Sequence, residues 1–276
     1  MHALHRVVPT IGIIFNEADE ASKNIADYLR ENAEFAEDLH GVLYSEELDA
    51  ALVRSETELI NAEFVDTLGL DAAYMLSKHV SAAGVGSFTT HATGNWNGEA
   101  KLGGKPHALS VAAPIEMLTV LQKASKAADK NTIEVTYEAT HHGPLLNTPS
   151  LFVEIGGNEN TIASKELAGM LGASLLDSLR KKAEYSKIVI GIGSNHYPRK
   201  FSELAKNKGY AFAHIMPKYA LYNADDSSNI FMLEQAFKRS KPEPEIAVID
   251  WHSFNANERQ EIIKKLNEIG SDYERA

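Results

Sequence analysis

The chain contains no cysteine. Disulfides, thiol nucleophiles and cysteine-type zinc sites are therefore excluded, and a cytoplasmic setting is the default expectation. Long apolar runs are missing too. No stretch of about 18 apolar residues occurs, so no membrane span is expected. The start, Met1-His2-Ala3-Leu4-His5-Arg6, lacks the apolar core and small-residue cleavage site of a secretory signal. There is no repeat, low-complexity block or long linker. With 44% apolar and 24% charged residues, the composition is that of a packed globular chain. A single α/β domain over residues 1–276 is expected.

Positive charge is scarce but unevenly spread. The net charge is −11, yet residues 178–218 hold 9 Lys/Arg against 2 Asp/Glu, while residues 1–76 hold 4 against 16. That distribution suits a polyanion touched at one place better than one wrapped along its length. Taken alone, Arg180-Lys181-Lys182 reads as a solvated helix end.

The periodicities alternate between strand and helix. Apolar runs at Val7–Phe15, Ala72–Ser77, Ser87–His91, Thr132–Ala139, Leu151–Ile155, Ile188–Ile192, Tyr210–Ile215 and Ile246–Trp251 read as strands. Helical spacing covers about Ala18–Ala33, Pro114–Ala128, a long segment after Gly157 to about Lys182, Ser227–Lys238 and Asn257–Ile269. This alternation predicts a mixed, mostly parallel sheet covered by helices on both faces. Residues 41–70 give only short, ambiguous signals.

Six of the 11 histidines fall where a strand ends and a turn begins: His79, His91, His141, His142, His196 and His214. In open α/β sheets ligands bind outside the carboxyl ends of strands, and a neutral imidazole serves as base or as metal ligand. If strand geometry persists through His141-His142, the two rings point opposite ways. Glu138 and Glu154 sit inside apolar strands, where a carboxylate needs a cation, a histidine or a metal beside it. Without cysteine, any zinc is held by His and Asp/Glu, though no His-Glu-x-x-His motif is present. Gly191-Ile192-Gly193-Ser194-Asn195 lacks the remainder of a dinucleotide fingerprint but offers backbone N–H groups to one phosphate or carboxylate. Gly103-Gly104-Lys105-Pro106 reads equally as a phosphate-contacting loop or a hairpin turn. Ser194 is not in a Gly-x-Ser-x-Gly elbow.

The strings TTHATGNW (89–96), YEATHHGP (137–144), PSLFVEIG (149–156), GIGSNHYPRK (191–200) and HIMPKYA (214–220) carry a specific likeness. In this order and spacing they resemble the archaeal-type D-aminoacyl-tRNA deacylases, a family also found in plants. The likeness runs from about Ala72 to Trp251. Ala213 stands where glycine is expected and His252 where lysine is common; neither change removes a motif histidine.

The resemblance implies hydrolysis of the ester joining a D-amino acid to the terminal ribose of tRNA, a proofreading and detoxifying role. It also implies two zinc ions per subunit and a phosphorylase/hydrolase-like fold. On this basis His91 or one of His141 and His142 acts as general base or zinc ligand, with His91 and His142 foremost for acid–base work. Glu138 orients an imidazole, and Thr90 faces the oxyanion. His79, His141, Glu154, His196 and His214 are the candidate metal ligands. Lys105, Arg199, Lys200 and Lys218 are expected to meet the 3′-terminal phosphates, with Tyr197 or Tyr219 stacked on the terminal adenine. A monomer is expected. Two other readings use the same residues: a metal-dependent peptidase or amidohydrolase, and a non-catalytic tRNA-binding module.

Overall fold

The computed structural model describes residues 11–37, 42–80, 84–128, 133–222 and 226–276. Residues 7–10 of the expected first strand and Thr132 lie outside them. In chain order the elements are β1 (Ile11–Phe15), α1 (Glu20–Asn32), β2 (Ala36–Glu37), β3 (Leu43–Ser45), β4 (Ala50–Arg54), β5 (Ala72–Val80), β6 (Ser87–His91), β7 (Gly94–Asn95), β8 (Ala108–Leu109) and α2 (Pro114–Ala128). Then follow β9 (Glu134–Tyr137), β10 (Ser150–Gly157), α3 (Glu159–Ile162), α4 (Lys165–Arg180), β11 (Lys187–Ile192), α5 (Arg199–Lys208), β12 (Tyr210–Met216), α6 (Lys218–Tyr222), α7 (Asp226–Lys238), β13 (Ile246–Ile249), α8 (Ala256–Glu268) and β14 (Tyr273–Arg275). The long helix expected after Gly157 is split. Asn158 caps the single turn α3, and the chain restarts at Ser164, whose hydroxyl accepts from Leu167 N at 3.3 Å.

The strands divide between two main sheets. Eight form a mixed sheet in the order β2-β3-β4-β1-β5-β10-β6-β9. Within it β4, β1, β5 and β10 are mutually parallel, and β6 runs antiparallel to β10 with β9 parallel to β6. Four form a parallel sheet in the order β12-β11-β13-β14. The strands β7 and β8 make a small separate ribbon.

Packing explains the helical cover. Ile13, Phe15, Tyr74, Leu76, Leu151, Val153 and Tyr137 share one core with Ile25 and Leu29 of α1, Met117, Leu118 and Leu121 of α2, and Leu171 and Leu175 of α4. Helix α2 also packs on β12, so it joins the two sheets. The smaller sheet buries Ile190, Ile192 and Ile249 against Met232, Leu233, Ile262 and Leu266 of α7 and α8. Gly172 permits the close crossing of α1 and α4, since a Cβ there would stand 2.5 Å from the Tyr28 ring. On the opposite face of the eight-stranded sheet, around Ile14, Met75 and Phe152, the cover comes from 3₁₀ turns through Leu59 and Val65 and from Leu70 beyond them. That leaves room for a cleft. Among the described residues, no helix is long and apolar enough to cross a membrane.

Asp66 on the second 3₁₀ turn closes this cover. Its carboxylate accepts from Asn147 N at 2.9 Å, Asn147 Nδ2 at 3.0 Å and Thr148 N at 2.8 Å. Burial raises its pKa, but these donors outweigh burial and hold it below the ordinary 3.8. A depressed folded pKa gives stability that is present above the unfolded value and lost as pH falls through the folded one. Asp66→Ala should therefore cost about 1–2 kcal/mol at pH 7, allowing for solvent screening. In denaturant melts the gap from wild type should narrow as pH falls below about 4. An equal gap at pH 7 and pH 3 would show that the charge contributes nothing.

Candidate metal and acid–base centre

Register decides which side chains share a face. Opposite pairs across β10, β5 and β6 place Glu154 beside Ser77 and Thr89, Gly156 beside His79, and Phe152 beside His91. Thr90 pairs with Tyr137, so Glu138 lies level with His91. Because strand side chains alternate, His79, Glu154, His91 and Glu138 project from one face, diagonally across four strands. Asp19, the N-cap of α1, accepts from Lys78 N at 3.0 Å and so anchors the end of β5 beside His79.

The remaining ligand-type side chains come from turns. Strand geometry does not persist through His141-His142: His142 has φ 44°. That left-handed residue brings both rings into the cluster, with centroids 4.3 Å apart. The turn is pinned by glycines. Gly143 N donates to Leu102 O at 2.9 Å, and a Cβ on Gly143 would stand 2.3 Å from Gly104 N. Thr140 positions the turn from behind: its carbonyl accepts from Trp96 Nε1 at 3.0 Å and its hydroxyl accepts from Ile215 N at 3.1 Å. His196 enters from the turn after β11.

The result is one cluster of five imidazoles and two carboxylates. Glu138 Oε2 lies 3.0 Å from His196 Nε2, 3.3 Å from His79 Nδ1 and 3.6 Å from His141 Nε2. Glu154 Oε2 lies 3.5 Å from His91 Nε2 and 3.7 Å from His79 Nδ1. The His91 ring is 4.4 Å from that of His141 and stacks on Phe152 at 5.3 Å. A cavity of about 620 Å³ opens from His141 and His142 past Trp96, Asn97 and Tyr219.

Tautomers follow from the backbone. Nδ1 of His91, His141 and His142 meets the carbonyls of Ala92, Ala139 and Gly143 at 3.1, 2.8 and 2.5 Å. A carbonyl only accepts, so each Nδ1 carries hydrogen and each Nε2 is left for the cluster. Burial and the neighbouring imidazoles hold His141 well below the ordinary range, and burial with the charge of His91 holds His142 at about 3. Burial pushes Glu138 up, but His196 close beside it and the charges of His91 and His79 bring it to about 2. Burial raises Glu154, assisted by the charge on Glu138. His91 is raised because Glu154 beside it outweighs burial.

Several of these buried atoms have no hydrogen-bond partner: His91 Nε2, His196 Nε2, Glu154 Oε2 and both carboxylate oxygens of Glu138. Three overlapping groups have ligand atoms within 4.8 Å of one another. They are His79/Glu138/His141/His196, His91/His141/His142 and His91/Glu138/Glu154. Orphaned acceptors with neutral Nε2 and carboxylate donors fit a divalent metal of borderline softness.

Other expected residues are not brought here. His214 is no ligand: it is fully buried, its Nε2 donates to Ser110 O at 3.1 Å and Arg239 O at 3.0 Å, and its Nδ1 receives the Thr140 hydroxyl at 3.2 Å. Burial holds it neutral, with a pKa of about 4. It is a strut for Thr140, a role that one string of letters does not distinguish from ligation. Thr90 faces the opposite side of β6, among Val153 and Tyr137, so Thr89 is the threonine on the cluster's face. The Gly193–Ser194 turn is no anion cradle, because Gly193 N and Ser194 N donate to Met216 O and Ser253 Oγ.

Gly103-Gly104 is a buttress for Gly143, with Lys105 exposed beyond it. Arg199 is held by Glu134 at 2.7 Å, Lys200 by Asp250 at 3.1 Å and Lys218 by Glu258 at 3.3 Å. The expected cationic rim is thus a set of internal ion pairs. Tyr197 donates or accepts at His79 Nε2, 2.9 Å away, while Tyr219 lines the cavity. Thr140, Trp96 and Asp19 were not singled out by spacing; the first two lie within the motif strings themselves.

The model of the D-aminoacyl-tRNA deacylase family matches residues 67–274. D-aminoacyl-tRNA deacylase from Pyrococcus furiosus is 34% identical over 272 residues, covering 95% of this chain and 98% of that protein. The deacylase of Desulfurococcus amylolyticus is 34% identical over 249 residues, covering 87% and 90%. A crystal structure of a conserved protein of unknown function superposes with a TM-score of 0.87 at 27% identity, covering 96% of this chain and 95% of that one.

Zinc at a hundredfold excess over its Kd should stabilise the protein by about 2.7 kcal/mol, a rise in Tm of roughly 5–10 °C. Glu138→Ala should lose most of that rise; no shift in the wild type would exclude the metal. Thr90→Val removes only a buried, unpartnered hydroxyl. It should leave Tm unchanged or higher and the zinc shift intact, whereas loss of the shift would return Thr90 to the site.

Proposed function

The chain belongs to the D-aminoacyl-tRNA deacylase family, and we propose that the five-imidazole, two-carboxylate cleft is where it hydrolyses the ester of D-aminoacyl-tRNA. The products are free tRNA and the free D-amino acid. The observation that carries this reading is the meeting of His79, His91, His141, His142, His196, Glu138 and Glu154 beside a cavity wide enough for an aminoacyl-adenosine end.

An aminoacyl ester is already activated. The site must place it, take a proton from water and stabilise one oxyanion. His142 suits the proton transfer: Gly143 O fixes Nδ1–H, so Nε2 is the free acceptor at the cavity wall. His91, with the carboxylate of Glu154 against it, is the nearest imidazole able to carry a positive charge; its ring centroid is 4.9 Å from that of His142. It can donate the proton that the leaving ribose oxygen needs. Tyr219 is half-exposed on the cavity, where its ring offers a stacking face for the terminal adenine. Tyr197 orients His79.

Zinc fits the donor set, and when bound it supplies Lewis acidity and a nucleophile near neutral pH. His79, Glu138, His141 and His196 would hold the ion, which leaves His142 and His91 for proton transfer.

His91→Ala and His142→Ala should each lower kcat/KM on D-tyrosyl-tRNA by at least about a hundredfold while the circular-dichroism melt stays cooperative. Near-wild-type turnover in both variants would end the assignment.

A further inference from the structure

A pair of cations is held on one indole beyond the cleft. The guanidinium carbons of Arg259 on α8 and Arg275 on β14 stand 4.8 and 3.9 Å from the centroid of the Trp251 ring. Stacking on an indole explains how each is held. It does not explain why two like charges are kept together. Among the described residues no carboxylate pairs with either, whereas Arg30, Arg54, Arg180 and Arg199 each have one.

Four nearby acids are engaged elsewhere, Glu268 among them with Lys264 at 3.8 Å. Asp250 holds Lys200 at 3.1 Å and the Ser253 hydroxyl at 2.5 Å. Glu258 accepts from Asn255 N at 2.7 Å, capping its own helix, and from Lys218 at 3.3 Å. Glu274 is bound by Lys187 and by the Tyr210 hydroxyl at 2.8 Å. Arg259 spends one N–H on Trp251 O, at 2.9 Å from Nε, and keeps its terminal nitrogens.

The turn that carries Trp251 is tied to the cleft. Asp250 N donates to Ile192 O at 2.9 Å, and Ser194 N donates to Ser253 Oγ at 3.0 Å, two residues before His196. We propose that Arg259 and Arg275, displayed on Trp251, receive phosphodiester groups of the tRNA acceptor arm while its 3′ end occupies the cleft. A guanidinium held flat on a ring keeps its N–H edge outward, the geometry that grips a phosphate with two bonds. This rests on the deacylase reading of the cleft.

The test compares Arg259→Gln, Arg275→Gln and the double variant with the wild type. Each single change should raise KM for D-tyrosyl-tRNA about five- to tenfold at 0.1 M salt, with kcat held within about twofold. The slope of log KM against log salt should fall by about one per arginine removed. Arg275→Lys should restore most of that slope, and Arg180→Gln, whose partner is Glu47, should move nothing. The variant-to-wild-type KM ratio should be about tenfold larger on full tRNA than on the D-tyrosyl ester of a CCA trinucleotide. Equal ratios on the two substrates, or an unchanged salt slope, would overturn the proposal. Filter-binding Kd for uncharged tRNA should rise by the same factor. It reads the arginines even if the wild type fails to hydrolyse D-tyrosyl-tRNA, the result that would sink the deacylase reading instead. Inhibition by inorganic phosphate as strong as that by uncharged tRNA, at equal phosphate, would reduce the pair to a general anion contact and overturn the claim for tRNA.

Discussion

Glu138 is an ionised carboxylate with a fully buried side chain, and three imidazoles from three other places in the chain stand within 3.6 Å of one of its oxygens. A charge in that position costs several kcal/mol unless it is compensated. Among the described residues no lysine, arginine or backbone N–H supplies that compensation; His196 beside it and the charges of His91 and His79 do. The fold must therefore bring the end of β5, the turn after β9 and the turn after β11 to one point. Asp19 at β5, Thr140 and Gly143 at the second, and the Gly193–Ser194 turn at the third are the fixings that hold them there.

The antiparallel strand β6 is what makes this possible on the face of a sheet. In a wholly parallel arrangement, functional residues gather off the carboxyl edge of the strands. Here β6 and β9 end level with the middle of β10, so His91 and Glu138 project over Phe152 and Glu154. His79, at the far end of β5, is level with Gly156, four residues further along β10 and so about 13 Å away in strand rise. Glu154 stands between them and touches both rings. Gly156 also matters here, because a Cβ would fall 2.2 Å from the Ser87 hydroxyl where the three strands meet. The 3₁₀ cover on this face, rather than a helix, leaves the cluster accessible.

Much of this is legible in the sequence. Strands such as Ser87–His91 and Ile188–Ile192 and helices such as Pro114–Ala128 carry strong periodic signals, and the structure keeps them with little change at their ends. Five of the six strand-end histidines converge, because a titratable residue at a strand end is placed by register, which periodicity reports. His214 has the same local pattern but faces the supporting interior; only long-range partners, Ser110 O and Arg239 O, reveal its role. The parity of Thr89 and Thr90 is a one-residue question, and reading it needs the pairing of β6 with both neighbours. The split between α3 and α4 was hidden because Asn158 and Ser164 are caps within a continuously helical composition. Residues 43–70 stayed ambiguous because their elements are three to five residues long, below the length at which a period can be counted.

Charge shows the same limit most sharply. Counting identifies residues 178–218 as the basic stretch, but Arg199, Lys200 and Lys218 are consumed by Glu134, Asp250 and Glu258. Among the described residues Arg239, Arg259 and Arg275 have no carboxylate; Arg239 is spent on Leu109 O, Leu146 O and Asn147 Oδ1, which leaves the pair at Trp251, in a C-terminal segment whose summed charge is negative. What a polyanion meets is the residual field after internal pairing, and pairing is decided by packing. On a chain of net charge −11 that residual field is local, since repulsion from the acidic first 76 residues is screened only over about 8–10 Å at physiological salt. A ligand that is a single-stranded end with a few neighbouring phosphates can enter such a field, whereas a long duplex laid across the molecule meets more repulsion than attraction. The distribution of charge thereby selects for a terminus, as does a cleft whose chemistry acts on one.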